Sequence, residues 1–150
     1  MFIETVENIF DLFPDLIVHP VSCTGVARDI HSRRIKHVFP DYFREYTRLS
    51  IRKNLKTGQI ICTELDALFG TRFMVTLPIK DTWQEKLNPE TVKNALNSLQ
   101  EMCSKTQPSS IAFPIFKGPP EGWLEKELTA RFGEEKWPHL EKIFITRVDD

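Results

Sequence analysis

The sequence predicts a single α/β domain over residues 1–150, on three observations. Stretches of strand character alternate with stretches of helical periodicity. The apolar runs within 15–21 and 110–115 are short and continuous, as in strands buried on both faces. At 150 residues, 41% of them hydrophobic, the chain can bury one core without help from a disulfide or a metal. Helices between strands require crossover connections, so the sheet is expected to be mixed, largely parallel and covered on both faces.

The elements follow in chain order. A first strand is expected at 2–6 and a second at 15–21, punctuated by Pro14 and Pro20, which suits a strand and not a helix. Asp41 is a candidate cap for a helix with Tyr42, Phe43, Tyr46 and Leu49 at helical spacing. Its other side carries Arg44, Arg48, Arg52 and Lys53, read as a solvated surface. Strands are expected at 59–63 and 72–77, with a turn over 66–70 between them. Asn88 and Pro89 open the clearest helix, 89–103, as N-cap and first helical residue. Its stripe of Val92, Ala95, Leu96, Leu99, Met102 and Cys103 is core. After the strand at 110–115, a loop with Gly118 and Gly122 leads to a helix carrying Leu124, Leu128 and Phe132; a strand at 141–148 closes the chain.

Composition excludes several functions. Twenty Lys+Arg against twenty-one Asp+Glu argue against a dedicated duplex-DNA binder, although one nucleotide pocket is compatible with that balance. No membrane span and no signal peptide are expected, which points to the cytoplasm. Cys23, Cys62 and Cys103 are odd in number and widely spaced, so each is expected as a small buried hydrophobe in a reducing compartment. His19, His31, His37 and His139 lack the spacing of a metal pair, and neither a metal nor a cofactor is expected.

In α/β sheets the ligand sits beyond the carboxyl ends of the strands. Three exits stand out, at 22–30, 78–83 and 117–122. The first and third lead towards helices whose N-terminal amides, relaxed by glycine, are candidate anion sites able to cradle a diphosphate. The glycines match neither GxGxxG nor GxxxxGK[ST], which rules out the dinucleotide Rossmann and P-loop readings. GxSxG and HExxH are absent as well.

Several segments, in order, resemble the macro domains, an ADP-ribose-binding family. Glu7-Asn8-Ile9-Phe10 and Asp15-Leu16-Ile17-Val18-His19-Pro20-Val21-Ser22 are similar to the family's "GDIF … DAIVNxVN" opening. Ile35-Lys36-His37-Val38-Phe39-Pro40-Asp41-Tyr42 resembles "FKKxFPxxY", and Thr57-Gly58-Gln59-Ile60 the entry to the next strand. Leu77-Pro78-Ile79-Lys80-Asp81-Thr82-Trp83 is similar to "FPTKxHW". Ile111-Ala112-Phe113-Pro114 with Gly118, Gly122 and Trp123 resembles "IAiPpLGcGlGGLdW". The nearest branch is the lysine-bearing one that includes terminal and DNA ADP-ribosyl hydrolases.

The resemblance implies a three-layer α/β/α fold and sets out a site. Lys80 takes the place of the branch's catalytic lysine, where an ammonium beside an anomeric carbon stabilises a leaving group, or an amine attacks once deprotonated. Glu121 lies in the loop that carries an acid in some hydrolases of the branch. Asn8 and Ile9 fall at the adenine, His19 and Ser22 at the two asparagines of "NxxN", and Gly25, Val26, Ala27, Pro78, Gly118 and Gly122 along the ligand. The chain also departs from the pattern. Only the first glycine of "GxMGxGIA" survives, Arg28 replaces a small residue, and the second loop carries Lys117, Pro119 and Pro120 in place of glycines. Three functions are therefore carried forward. They are a monomeric hydrolase of ADP-ribosylated protein or nucleic acid or of ADP-ribose 1″-phosphate, a non-catalytic ADP-ribose or nucleotide reader, and a macro-like fold whose altered pocket serves protein interaction.

Overall fold

The structure, a computed structural model, describes residues 2–27, 29–66, 70–115, 118–133 and 137–147. Its described elements run β1 (Phe2–Thr5), a 3-10 turn (Ile9–Leu12), β2 (Leu16–Ser22), α1 (Ile30–Val38), α2 (Pro40–Ile51), β3 (Ile61–Glu64), β4 (Phe73–Lys80), α3 (Pro89–Thr106), β5 (Ser110–Ile115), α4 (Trp123–Phe132) and β6 (Lys142–Arg147). One six-stranded sheet has the order β1-β6-β5-β2-β4-β3. All its pairings are parallel except β3 with β4, so the α/β class and the mixed, largely parallel sheet are as expected.

Period-2 alternation distributes the core between two faces. Leu16 and Val18 of β2, Val75 and Leu77 of β4, and Ile111 and Phe113 of β5 turn to one face, where α3 and α4 cover them with Leu96, Leu99, Leu128 and Phe132. Ile17, Val21 and Met74 turn to the other, under Ile35 of α1 and Tyr42, Phe43 and Tyr46 of α2. The result is three layers.

Local chemistry explains the boundaries. Asn88 caps α3 by accepting the Glu90 N–H at 3.0 Å, as expected, and the helix runs past Cys103 to end at Gln107, which adopts a left-handed conformation. The helical region before β3 is two helices, because Pro40 disfavours helical backbone at Phe39. Pro40 also starts α2 ahead of Asp41, which lies in the first turn instead of capping it. Lastly, β4 continues to Lys80, absorbing Pro78 from the expected exit loop. β3 pairs with β4 only as far as Thr76, so the missing Pro78 N–H leaves no gap on that side.

The cysteine expectation is corrected in part. Cys103 is buried, Cys23 is half-buried and Cys62 is exposed, because Cys62 lies on the edge strand β3, whose alternate residues face out. Among the described residues, no helix is long and apolar enough to cross a membrane.

The three central strands are tied together at their amino ends by Asp15. Its buried carboxylate accepts the Arg72 guanidinium through two nitrogens and the Ser109 N–H at 3.0 Å. Its carbonyl accepts the Arg72 and Phe73 amides, and its own N–H donates to Ser110 Oγ at 2.8 Å. Burial alone would raise the Asp15 pKa; the Arg72 and Ser109 hydrogen bonds outweigh it and hold the carboxyl below its usual value. Asp15→Ala is expected to cost about 1–3 kcal/mol in chemical denaturation, the penalty for leaving buried donors unpaired. Ligand affinity should be unchanged, because the knot lies at the opposite end of the strands from the candidate site. Coupled losses of both would show that the two ends are not independent.

Candidate functional site

At their carboxyl ends the same strands separate. β2 and β5 pair only at Leu16–Ile111 and Ile17–Ala112, although β2 continues to Ser22 and β5 stays paired with β6 through Ile115. Beyond the last shared pair lie Pro20 in β2 and Pro114 in β5, neither of which has an N–H to donate across the gap. This split is the switch point of the sheet, since the chain runs from β2 to β3 and β4 on one side and then returns from β4 to β5 on the other.

One bank of the split is formed by β2 and β4. Ser22 and Lys80 are register partners, brought opposite each other by an irregularity between Val21 and Ser22, and the Cys23 N–H donates to the Lys80 carbonyl at 2.9 Å. Lys80 is half-buried, Pro78 is buried beside Val21, and Ser22 shares a 2.6 Å hydroxyl contact with Thr24. Burial raises the Cys23 thiol pKa, with Asp81 and Glu85 adding to it, so Cys23 is a poor nucleophile.

The loop after β2 hangs on α2. The Tyr46 hydroxyl donates to the Ser22 carbonyl at 2.7 Å and accepts the Gly25 N–H at 3.2 Å. Ser50 Oγ donates to the Cys23 carbonyl, and Thr47 Oγ1 reaches the Gly25 carbonyl at 3.4 Å. Gly25 has φ 77°, and a Cβ there would lie 2.9 Å from the Ser50 side chain. The glycine of the first loop thus owes its identity to packing on α2 and a left-handed backbone. Val26 and Ala27 follow it, Val26 exposed and Ala27 half-buried.

The other bank is the loop after β5. A Cβ on Gly118 would lie 2.9 Å from Leu87, so this loop is seated against the segment that leaves β4. It continues through the exposed Glu121 to Gly122, the left-handed N-cap of α4, where no side chain caps the helix. The N-terminus of α1 differs from the expected open anion site, because the Asp29 carboxylate already caps it by accepting the Ser32 N–H at 2.6 Å. Arg28 and Lys117 lie outside the described residues.

The structure gives His19 another role and Asn8 an additional one. His19 is fully buried with both ring nitrogens engaged, Nδ1 with the Tyr42 hydroxyl at 3.0 Å and Nε2 with Ser32 Oγ at 2.7 Å. It has no atom left for a ligand, because its side chain points into the layer between β2 and the helices α1 and α2. The Asn8 carbonyl oxygen caps the 3-10 turn by accepting the Phe10 N–H at 3.0 Å, and the Ile9 side chain is buried. Asn8 keeps its amide NH₂ and Ile9 its backbone for any recognition. Both lie just past the end of β1, where the 3-10 turn stacks Phe10 on His31 in the first turn of α1. Among the described residues, no group of three or more His, Cys, Asp or Glu side chains is placed to hold a metal ion.

Tyr46, Thr47, Ser50 and Asp29 were not among the expected site residues. One signal for them exists in the sequence: Ser50 occupies the apolar face of α2 shared by Phe43 and Tyr46, where a larger hydrophobe would be the default.

The family model described as Macro domain matches residues 18–118. No curated protein matches the chain significantly. Among solved structures, the macrodomain of Mycobacterium tuberculosis DarG is similar at a TM-score of 0.85 and 17% identity, over 97% of each chain. The macrodomain of Thermus aquaticus DarG is similar at 0.76 and 20%, over 99% of each. Thermosipho africanus DarTG, solved in complex with ADP-ribose, is similar at 0.78 and 18%, over 97% of this chain and 41% of that one.

The buried histidines give the site layer a pH dependence. Burial lowers the His31 pKa to about 4, against a partly offsetting bond from its Nε2–H to the Val18 carbonyl; burial and His31 together hold His19 well below its usual value. Folded-state pKa values below the unfolded value mean that the unfolded chain binds more protons, so stability falls as pH drops below about 6.5. The expected slope is up to about 1.4 kcal/mol per pH unit for each histidine, the His31 share lasting down to about pH 4. Urea denaturation between about pH 7 and pH 5 checks this, and His31→Gln should remove roughly half the slope. A pH-independent midpoint would contradict the buried, neutral rings.

Proposed function

The chain belongs to the Macro domain family, and from that premise we propose that it binds ADP-ribose in the split between β2 and β5 and hydrolyses an ADP-ribosyl linkage there. The observation that carries the reading is the parting of β2 from β5 with Ser22 and Lys80 side by side on one bank. The diphosphate lies between the 22–27 loop and the start of α4, where no side chain caps the helix and Gly122 leaves open space, Gly118 seating the loop against Leu87. The adenine lies towards the Asn8 amide and the Ile9 backbone, and the distal ribose towards Ser22 and Lys80. A relative solved with ADP-ribose shares the fold, which favours this ligand over other nucleotides.

In the proposed reaction, water attacks the anomeric carbon of the distal ribose and the bond to the leaving group breaks. The leaving group is the carboxylate, base or phosphate of a modified protein, nucleic acid or ADP-ribose 1″-phosphate. The Lys80 ammonium stabilises the charge developing on it, and the Glu121 carboxylate accepts the proton of the attacking water. Water is the only co-reactant, so no cofactor is needed. We read the protein as a cytoplasmic monomer.

A second reading, a binding module without turnover, is favoured by Asp29. Its carboxylate occupies the N-terminus of α1, so that helix end contributes little to charge developing in the site. Lys80→Ala separates the two readings. For an enzyme, turnover of ADP-ribosylated protein, DNA or ADP-ribose 1″-phosphate should fall about 10²-fold or more. Affinity for free ADP-ribose, followed by calorimetry, should change far less, because the ammonium acts on charge that develops in the transition state. A wild type that binds ADP-ribose and turns over none of these substrates is a reader. One that gives neither heat nor a thermal shift with millimolar ADP-ribose leaves the altered-pocket reading standing.

A further inference from the structure

The loop after β2 lacks the glycines that elsewhere let backbone amides close around a phosphate, and the structure contains a substitute for them. Each peptide of this loop is trans, so a carbonyl turned one way turns the next N–H the opposite way. Tyr46 draws the Ser22 carbonyl towards α2, and the Cys23 N–H points away accordingly, to the Lys80 carbonyl at 2.9 Å. By the same geometry, the bond from Ser50 to the Cys23 carbonyl turns the Thr24 N–H away from α2. The Thr47 hydroxyl, which donates mainly to the Phe43 carbonyl at 3.1 Å, shares its proton with the Gly25 carbonyl at 3.4 Å, an orientation that turns the Val26 N–H away. The Gly25 N–H faces Tyr46, so the Thr24 carbonyl also turns outward. The outward side of the loop therefore offers two amide donors and one acceptor, which fits a phosphate oxygen next to a sugar hydroxyl.

We propose that Tyr46, Thr47 and Ser50 of α2 are positioning residues for the phosphate-bearing part of the ligand. They fix the 22–26 backbone with its Thr24 and Val26 amides presented, and so take over the role of the missing loop glycines. The inference rests on the reading of the split as the ligand site. Tyr46 is buried, and burial pushes its pKa up to about 12, so the phenol keeps the proton it donates throughout the neutral range. Ser50 has a second function, filling the space that a Cβ on Gly25 would need. A hydroxyl clamp works without loop glycines because it orients the peptides from outside, and it lowers the entropy lost when ligand binds.

The test compares wild type with Tyr46→Phe and Ser50→Ala, each first checked by thermal melting. ADP-ribose and ribose 5-phosphate carry phosphate, and adenosine does not. Ser50→Ala is expected to weaken the first two by about five- to tenfold, the scale of one lost hydrogen bond, and Tyr46→Phe, which removes two, by at least as much; both should leave adenosine affinity unchanged. A merely structural role would weaken all three together. In the wild type, ADP-ribose should shift the Thr24 and Val26 amide resonances, and the shift should shrink in both variants. If Tyr46→Phe does not fold, Ser50→Ala carries the comparison, since it removes one bond and keeps the helix. Wild-type binding with unchanged phosphate affinity in a folded variant overturns the clamp and leaves the ADP-ribose reading intact. No response to ADP-ribose, together with ribose 5-phosphate shifts at Thr24 and Val26 that the variants lose, overturns that reading and supports the clamp. Thr24 and Val26 resonances that respond to neither ligand overturn the clamp.

Discussion

β2 and β5 are hydrogen-bonded neighbours at only two positions, and the candidate site depends on where that pairing stops. Asp15 fixes the closed end, gathering the starts of β2, β4 and β5 through its carboxylate, carbonyl and N–H. Pro20 and Pro114 lie beyond the last pair, where a ladder would otherwise continue to draw the strands together. An ionic knot at one end and two residues without an N–H at the other make a crevice whose walls are strands. Loops then need only line it.

The end of β2 that β5 leaves unpaired creates a second demand. Its last residues carry backbone and side-chain polar groups into a layer that is apolar elsewhere, and such groups must find partners inside the protein. α2 supplies them on one face with Tyr42 to His19 and Thr76, and with Tyr46, Thr47 and Ser50 to the loop backbone. α1 adds Ser32 to His19. Every buried side-chain nitrogen and oxygen among the described residues has a partner. The hydroxyls on the inner face of α2 thus satisfy the sheet and shape the site loop in a single arrangement.

Much of this was legible in the sequence. Short apolar runs bounded by proline identify β2 and β5, and Asn88-Pro89 marks the start of α3, because those signals are local. The order of the motifs points to the macro fold and to Lys80 at the end of β4, a position that strand register with Ser22 makes concrete. What was not legible depends on residues distant in sequence. His19 reads as a ligand contact until Tyr42 and Ser32, 23 and 13 residues away, claim its two nitrogens. The packing reason for glycine at position 25 is equally non-local, because Ser50, 25 residues on, lies where its Cβ would go. The Asp29 cap of α1 escapes the sequence reading because Asp29 falls in the stretch matched to the family's first loop, which resembles a phosphate cradle and not a helix start.

The departures from the family pattern look different once these contacts are counted. Losing glycines would normally stiffen a loop in whatever shape its side chains prefer. Here the one retained glycine sits where the chain must be left-handed and close to α2, and hydroxyls hold its neighbours. On the opposite bank, Gly118 is retained where Leu87 crowds it and Gly122 where α4 begins without a side-chain cap. The glycines that remain are those the geometry requires, at φ 77°, 126° and 80°. In the first loop the α2 hydroxyls hold the shape that further glycines would otherwise leave free, and in the second Leu87 seats the one glycine that must be bare.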